Sequence, residues 1–240
     1  MSDLKAHWES VYTRNTDDLF TWTQTFPAAS LELINRLLIE PGDPILDAGG
    51  GDSRLAEHLL DRGFTDITVL DISEAALNRA RKRLGKRADL IHWVCADIRY
   101  WKPERTYALW HDRAVYHFLK QEADIALYHD ALDNALQYGS YMLIAAFSHD
   151  GPEQCSGLPV QRYSADGLLH AFGYQFDCIG GLYEDHISPA GHVQKFIYGL
   201  FVRRLPGTGP LNALQPFSTF AHKESEAAHC LLGDKGSCCG

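Results

Sequence analysis

Acidic residues flank a run of glycines near the start of the chain, in the segment PILDAGGGDS (residues 44–53). Asp47 and Asp52 stand on either side of Gly49 to Gly51. Glycine has no Cβ atom, so such a turn allows the backbone to approach a ligand closely. The two carboxylates would repel the pyrophosphate that glycine-rich turns often hold at a helix N-terminus. The segment therefore predicts a binding loop for a ligand that carries positive charge.

Two phosphate-binding motifs fail at this loop. Aligned from Gly49, the dinucleotide motif G-x-G-x-x-G has Arg54 in its sixth position, where close packing of the helix on the strand requires a small residue. The P-loop motif fails because no Lys-Ser/Thr pair follows the glycines. S-adenosylmethionine satisfies the constraints, since it carries a sulfonium and an ammonium group and has no phosphate. Its carboxylate can accept hydrogen bonds from the exposed N–H groups of a helix start.

Two further acids end the next predicted strands. Asp71 lies at the end of the segment DITVLDI, and Asp97 lies at the end of LIHWVCAD. The carboxyl ends of parallel strands form one crevice in an open α/β sheet, so we expect both side chains to lie near Asp47. Asp71 can accept hydrogen bonds from both ribose hydroxyls of a nucleoside. Asp97 can accept one from the exocyclic amine of adenine, while Ile98 covers a face of the ring.

The segments ILDAGGGDS, VLDIS and CADI, together with the strand–helix alternation of residues 40–204, resemble the class I S-adenosylmethionine-dependent methyltransferases. The resemblance implies an α/β fold with an open, seven-stranded, mostly parallel sheet, an antiparallel last strand and helices on both faces. It also implies S-adenosylmethionine as the cofactor. The family motif D-x-G-x-G-x-G has Ser53 in place of its last glycine here. The cofactor-binding residues implied are Asp47, Gly49, Gly51, Asp71, Ile72, Asp97, Ile98 and His111.

The N-terminal segment HWESVY (7–12), with Trp22, is similar to the lead-in of the thiopurine/tellurite-type methyltransferases and of the small protein-lysine methyltransferases. This resemblance implies a segment that folds over the cofactor. An aromatic ring beside a sulfonium contributes about 1 kcal/mol or more when water is excluded. We therefore expect Trp22 to bind the cofactor. The alternative is that Trp8, Tyr12 and Trp22 are core residues of a covering helix.

The fourth predicted strand ends in a cluster of ionisable side chains, within the segment LWHDRAVYHFL (109–119). Methyl transfer depends on proximity and on exclusion of water, and a nearby base assists where the acceptor must lose a proton. The cluster predicts catalytic roles for Asp112, Arg113 and His117. The alternative is structural: Asp112 and Arg113 would form an ion pair that caps the next helix, and His117 would be a satisfied, half-buried histidine.

Nucleic acid is disfavoured as the methyl acceptor. Enzymes that methylate nucleobase amines generally carry an Asn/Asp-Pro-Pro-aromatic signature at this strand end, and HDRA has no proline. A formal net charge of −9 also argues against a general affinity for phosphates. The basic stretch RARKRLGKR (79–87) is typical of a solvated helix face. We therefore expect a small-molecule acceptor that offers a thiol, an amine or a metalloid.

Cysteines keep the metalloid open as an acceptor. Arsenite methyltransferases resemble this fold and hold arsenic with three dispersed thiolates, and Cys155 and Cys178 are placed to reach a soft ion. No C-x-x-C pair is present, so we predict no structural metal site. Two other functions remain as alternatives. One is a protein-lysine N-methyltransferase, whose basic target would suit the acidic chain, and the other is a non-catalytic module that binds S-adenosylmethionine.

The sequence predicts a helical cover segment (1–39), a methyltransferase domain (40–204) and a flexible tail (205–240) with Cys230, Cys238 and Cys239. One short helix is expected near Ala227. Apolar residues form 45% of the chain, and no apolar run approaches the roughly 20 residues that a membrane helix needs. The opening MSDLKAHWES lacks the apolar region of a signal peptide, so we expect a cytoplasmic protein without a membrane partner.

Hydrophobic periodicity predicts the elements that position these residues. Ser73 is expected to cap a helix that Gly85 ends, and a later helix is expected to run through Leu127 and Ala135 to near Gly139. The chain after residue 147 is predicted as a long loop, a short helix and an antiparallel strand pair. The predicted parallel strands are 44–48, 66–72, 90–97, 107–115 and 141–147, and the predicted antiparallel pair is 176–187 with 194–205.

Overall fold

The computed structural model describes residues 3–14, 20–209 and, as backbone, 220–224. Six α-helices, two 3₁₀ helices (Gly85–Leu90 and Tyr116–Phe118) and ten strands lie within these ranges. The α-helices are α1 (Asp3–Arg14), α2 (Ala28–Ile34), α3 (Leu55–Asp61), α4 (Glu74–Leu84), α5 (Glu122–Ala135) and α6 (Ala165–Phe172). The strands are β1 (Ile45–Ala48), β2 (Ile67–Asp71), β3 (Ile91–Cys95), β4 (Tyr107–Arg113), β5 (Leu136–Phe147), β6 (Gln154–Cys155), β7 (Leu158–Pro159), β8 (Phe176–Ile187), β9 (Val193–Arg203) and β10 (Phe220–Glu224).

The main sheet of the described ranges has the strand order β10-β8-β9-β5-β4-β1-β2-β3. Strands β1 to β5 pair in parallel, and β9 runs antiparallel to both of its neighbours, β5 and β8. Seven of the strands therefore form the predicted open sheet with its antiparallel strand, which confirms the expected fold. From β1 the next strands, β2 and β3, are added on one side of the sheet, and β4 and β5 are added on the other side. Open α/β sheets bind their ligands at such a switch point.

The strands are apolar because helices cover the sheet on both faces. Every residue of β1 and of β2 is buried. One apolar cluster packs α2 and α3 on the sheet and includes Leu31 and Leu59. The other packs α5 and α6 on the opposite face and includes Leu132 and Phe172. Each such buried side chain contributes about 1.5–3 kcal/mol relative to an exposed one.

Helix α4 begins and ends where its sequence predicts. The Ser73 hydroxyl accepts a hydrogen bond from the backbone N–H of Ala76 at 3.2 Å. Gly85 follows the last helical residue with a φ of 58°, a conformation that favours glycine. Because Ser73 comes two residues after Asp71, this cap also fixes the backbone beside the end of β2.

Two expectations were wrong in detail. Helix α5 ends at Ala135 instead of near Gly139, because Leu136 already pairs with Tyr107 on β4 and Ser140 Oγ donates to the Tyr107 carbonyl at 2.9 Å. The expected tail contains a strand, since β10 pairs in parallel with β8 and adds an eighth strand at the edge of the sheet. The helix expected near Ala227 and the three tail cysteines lie outside the described residues. Within the described ranges, the helices are too short or too polar to cross a membrane.

Candidate functional site

Two adjoining clefts open at the carboxyl ends of β1, β2 and β4 in the described part of the chain. The first encloses about 780 Å³, counted to its open mouth, and the second about 590 Å³. Four residues line both clefts, and we call the place where these meet the junction. The junction residues are Tyr12, Trp22, Gly49 and Arg113.

The first cleft contains most of the residues expected to bind a nucleoside. Asp71, Ile72, Asp97 and Ile98 all line it, which places the ends of β2 and β3 on one wall. Asp71 Oδ1 accepts a hydrogen bond from the Ser73 backbone N–H at 2.8 Å. Burial raises the pKa of Asp71 to about 7. A pair of hydroxyl donors would lower this pKa again, because it would stabilise the ionised carboxylate.

Asp97 is less free than the sequence suggests. Both of its carboxylate oxygens accept hydrogen bonds from Arg99, from Nε at 2.9 Å and from Nη2 at 2.6 Å. Arg99 in turn donates to Asp124 at 2.9 Å. Oδ1 also accepts from the Arg99 backbone N–H at 3.1 Å, so Oδ2 is the oxygen that keeps an acceptor site for an amine in the cleft. Its charge, however, is already balanced by the neighbouring guanidinium.

Gly50 and Gly51 keep space for the acids beside them. A Cβ atom at Gly50 would lie 2.5 Å from Asp47 Oδ2, and one at Gly51 would lie 2.7 Å from Asp71 Oδ2. Gly49 has a φ of 69° and Gly51 a φ of 43°. Gly49 lines both clefts of the described chain, whereas Gly51 lines neither. Gly51, which was expected to bind the cofactor, therefore lies beside Asp71 and outside the lining of the described clefts.

The second cleft is built around Asp47. Its Oδ1 atom pairs with His111 Nδ1 at 2.7 Å, and His111 Nε2 pairs with the hydroxyl of Ser30 on α2 at 2.9 Å. Asp47 Oδ2 is buried and has no hydrogen-bond partner among the described residues. A buried carboxylate oxygen without a donor is costly, and an ammonium group in this cleft would remove the cost. The residues present therefore fit the cationic end of S-adenosylmethionine.

Asp52 also lines the second cleft, but its charge is balanced from within the protein. Arg79 Nε donates to Asp52 at 2.9 Å, and Arg83 forms a second ion pair with the same carboxylate. The basic stretch 79–87 is thus in part an ion-paired face and not only the solvated face that was expected. Of the two acids that flank the glycines, Asp47 is the one with an unpaired oxygen in the described structure.

Aromatic residues of the N-terminal segment cover the junction. Trp8 packs edge-on against Phe118, with the ring centroids 5.2 Å apart, and Trp22 stacks on Phe20 at 4.7 Å. Glu9 fixes α1 in this position, because its carboxylate accepts hydrogen bonds from the hydroxyl of the α4 cap and from the first turn of that helix. Trp22 lines both clefts and also packs against other rings, so its position is compatible with cofactor binding and with a core role.

Arg113, one of the three expected catalytic residues, reaches the junction from the end of β4. Its Nε donates to Tyr198 Oη at 2.9 Å, and its Nη1 donates to the Trp22 carbonyl at 3.1 Å. Tyr198 Oη then donates to Glu184 at 2.7 Å, and the Gln24 amide donates to the other Glu184 oxygen at 2.9 Å. These links join β4, β8 and β9 to the segment that covers the clefts.

Asp112 and His117, the other two, line neither cleft of the described chain. Asp112 is fully buried and accepts hydrogen bonds from Tyr128 Oη at 2.6 Å and from the Val115 N–H at 2.8 Å. It therefore caps the turn after β4 and forms no ion pair with Arg113. His117 Nδ1 accepts from the Phe147 N–H at 3.4 Å, and burial lowers the His117 pKa to about 3. Such an imidazole is a weak base. It also differs from the satisfied, half-buried histidine of the structural alternative, because it is fully buried and its Nε2 has no hydrogen-bond partner among the described residues.

The two cysteines expected to reach a soft ion do not lie together. Cys155, on the β6–β7 hairpin of the long loop, lines the first cleft, and burial raises its pKa to about 12. Cys178 packs with the apolar cluster on the other face of the sheet. Among the described residues, no group of three or more His, Cys, Asp and Glu side chains is arranged to hold a metal ion.

Sequence reasoning missed several residues of the site. Ser30 and Arg99 line the clefts without a motif that marks them. Glu184 and Tyr198 support the junction from β8 and β9. A signal existed only for the last pair, since a buried acid and a buried tyrosine on neighbouring strands are polar residues in an otherwise apolar pattern.

Comparison with known proteins identifies a methyltransferase domain in part of the chain. Residues 45–136 match a family model described as a methyltransferase domain. The eEF1A lysine and N-terminal methyltransferase of Mus musculus is 32% identical to the chain over 94 residues, which cover 38% of this chain and 13% of that relative. The chain thus spans only a small part of the length of the curated relative that it matches.

Two solved structures share the fold. The 1,6-didemethyltoxoflavin-N1-methyltransferase of Burkholderia thailandensis, crystallised with 1,6-didemethyltoxoflavin and S-adenosylhomocysteine, superposes with a TM-score of 0.67 at 18% identity, over 84% of this chain and 88% of that one. A SAM-dependent methyltransferase from Anabaena variabilis gives a TM-score of 0.66 at 17% identity, over 85% and 96%. Residues 45–136 thus match a methyltransferase domain, and the chain shares the fold of these two methyltransferases.

Proposed function

We propose that the protein transfers the methyl group of S-adenosylmethionine to a nucleophile on a small molecule. One observation carries the proposal: the nucleoside cleft and the cleft of the unpaired Asp47 oxygen meet at a single junction, under an aromatic cover. When bound, the cofactor supplies an electrophilic methyl group on a sulfonium. This sulfonium joins the nucleoside to the amino-acid end, so the two clefts predict that it lies at the junction.

The cofactor-binding roles follow from the positions of the residues. Asp71 is proposed to accept from the ribose hydroxyls, and Asp47 Oδ2 from the ammonium group. His111 is a positioning residue, because it holds Asp47 Oδ1 and is itself held by Ser30. The adenine would lie against Ile72, Asp97 and Ile98, and the sulfonium against Trp22.

The residues at the junction favour catalysis by proximity and dehydration. Trp8, Trp22 and Phe118 surround the junction with apolar surface, which excludes water from the reacting atoms. Neither Asp112 nor His117 lies where it would accept a proton from an acceptor in the described clefts. We therefore propose that the chain binds and orients an acceptor that is already nucleophilic.

The firmly held cover favours a small acceptor over a protein. The backbone carbonyls of Thr21 and Trp22 accept hydrogen bonds from His186 Nε2 at 2.8 Å and from Arg113 Nη1 at 3.1 Å. The Gln24 amide is bonded to Glu184. A protein side chain would need a groove that leads past this segment to the junction, whereas a small molecule can enter through the mouth of the first cleft.

The test is to incubate the protein with methyl-labelled S-adenosylmethionine and a desalted lysate, either supplemented with its own low-mass fraction or without it. We expect label in low-mass species, and only when that fraction is present. Asp61→Ala, at an exposed residue, is the control variant and should label as the wild type does. Label confined to protein bands would contradict the proposal.

Protein-lysine methylation is the second candidate. The observation in its favour is the similarity to the eEF1A lysine and N-terminal methyltransferases, which is 32% identity over 94 residues for the mouse protein. Label on lysine or on an N-terminal amine in the same experiment would support it. A cofactor complex that stays unconsumed with every fraction would instead favour the non-catalytic binding module.

A further inference from the structure

Arg113 is held on three sides at the junction. Nε and Nη1 donate to Tyr198 Oη and to the Trp22 carbonyl, and the guanidinium carbon lies 4.2 Å from the ring centroid of Phe196. These contacts fix the guanidinium at the place where the clefts meet. Its Nη2 atom is buried and has no hydrogen-bond acceptor among the described residues. A buried cationic donor without an acceptor is costly, so this atom indicates a ligand group that accepts.

The titratable groups around Arg113 do not supply that acceptor. Glu184 is the acid whose charge acts on Arg113, and both of its oxygens already accept other hydrogen bonds. The imidazoles of His117 and His186 also lie in the field of Arg113, and burial favours their uncharged forms by lowering their pKa values to about 3 and about 4. The Cys155 thiol beside them stays protonated, because burial raises its pKa to about 12.

The cofactor adds a second cation at the same place. With the ribose at Asp71 and the ammonium at Asp47, the sulfonium lies at the junction beside Arg113. Two cations in a site without water repel each other unless an anion lies close to both. An oxyanion on the methyl acceptor would offset both charges and would give Nη2 its missing partner. An uncharged methyl acceptor would neither offset the two positive charges nor give Nη2 a charged partner.

We propose that the methyl acceptor is a small molecule with a carboxylate near its nucleophilic atom, and that Arg113 binds this carboxylate. The inference rests on the proposed function and names its substrate class. In the reaction, a lone pair of the nucleophile forms the new bond to the methyl carbon. The electron pair of the broken carbon–sulfur bond stays on sulfur, and any proton on the nucleophile leaves to solvent. Arg113 is thus a substrate-binding residue and takes no proton.

The experiment measures whether the protein, saturated with S-adenosylhomocysteine, prefers carboxylates over their uncharged amides. The probes are benzoate, phenylacetate and indole-3-acetate, each compared with its amide by calorimetry and by the fluorescence of the tryptophans near the junction. We expect at least one carboxylate to bind tenfold or more tightly than its amide. Arg113→Gln should reduce this preference to less than twofold and should change the affinity for S-adenosylhomocysteine by less than threefold.

Arg99→Gln is the matched control. Arg99 lines the same first cleft, but its guanidinium is already paired with Asp97 and Asp124. The preference for the carboxylate should therefore survive in this variant. Arg113→Lys keeps the charge but loses the second donor, so we expect a reduced preference of about two- to fivefold.

Three results would overturn the inference. The first, measured on the wild type and independent of any variant, is that no carboxylate binds better than its amide. The second is an unchanged preference in both Arg113 variants. The third is a tenfold loss of affinity for S-adenosylhomocysteine in Arg113→Gln, because the guanidinium would then bind the carboxylate of the cofactor. Failure of the proposed function is distinguishable, since it would appear as label confined to protein bands, or as a wild-type protein that does not bind S-adenosylmethionine.

Discussion

The proposed cofactor side and the proposed methyl-acceptor side of the site use their polar atoms differently. At the ends of β1 and β2, Asp47 and Asp71 face clefts, and Asp47 keeps a buried oxygen without a partner in the described chain. At the end of β4 the polar groups are bonded to one another: Asp112 holds a turn, and Glu184 holds Tyr198 and the cover segment. The proposed cofactor side thus offers carboxylate oxygens that can accept hydrogen bonds. The proposed methyl-acceptor side is held rigidly and offers one N–H donor, Nη2 of Arg113.

The largest expected effect is that of Asp112→Ala on the free energy of unfolding. Asp112→Ala leaves the Tyr128 hydroxyl and two backbone N–H groups without their acceptor, and we expect a loss of about 3 kcal/mol in the free energy of unfolding. Chemical denaturation measures this loss. At a temperature where the variant is folded, its affinity for S-adenosylmethionine should stay within threefold of the wild type. A tenfold loss of affinity would show that Asp112 belongs to the cofactor side after all.

The opposite pattern is expected on the cofactor side. Asp71→Ala removes the acceptor of the ribose hydroxyls and should weaken S-adenosylmethionine binding at least tenfold by calorimetry. The free energy of unfolding should fall less than in Asp112→Ala, because the described contacts of Asp71 are backbone groups at the start of α4. Unchanged cofactor affinity would refute the placement of the ribose.

Cofactor affinity should also depend on pH through Asp71. Burial, together with the charges of Asp47 and Glu9, raises its pKa in the free protein to about 7. Ribose hydroxyls stabilise the ionised form, so binding lowers this pKa, and affinity should rise as the pH increases to about 7 and then level off. From pH 8 to pH 6 we expect a loss of about tenfold. Asp71→Asn should remove the pH dependence of the affinity. If the same pH dependence persists in this variant, another titratable group causes it.

The smallest effect is expected at Asp52. Its carboxylate lines the second cleft, but it is already paired with Arg79 and Arg83. Asp52→Asn should therefore change the affinity for S-adenosylmethionine by less than threefold, measured beside Asp47→Asn, for which we expect a clear loss. Equal losses of affinity in the two variants would mean that both carboxylates attract the cation. The ion pairs with Arg79 and Arg83 would then not neutralise Asp52.

The difference between the two sides also explains what the sequence could predict. The acids of the cofactor side follow single strands, and parallel strands with short turns bring their ends together regardless of distant contacts. On the acceptor side, Arg113 depends on Tyr198, 85 positions later, and on Trp22, 91 positions earlier. No local pattern contains such pairings. The sequence therefore shows that ionisable residues cluster at the end of β4. Tertiary contacts decide which of these residues reach the junction, and the sequence does not show those contacts.

Asp52 shows the same limit on a smaller scale. Its position beside the glycines is a local feature, and the sequence indicates it correctly as a cleft residue. Its partners Arg79 and Arg83 lie one helical turn apart on α4, and the packing of α4 beside the glycine loop brings them to the acid. Of the two acids that flank the glycines, Asp47 alone keeps an oxygen for a cationic ligand in the described structure.

The most direct test of the account is a calorimetric comparison of S-adenosylmethionine, ATP and NAD on the same protein. The clefts pair a nucleoside wall with a buried, unpaired carboxylate oxygen, so a cationic nucleoside without phosphate should bind. We predict that S-adenosylmethionine binds at one site per chain and that ATP and NAD bind at least a hundredfold more weakly. Comparable or tighter binding of either phosphate compound would contradict the account.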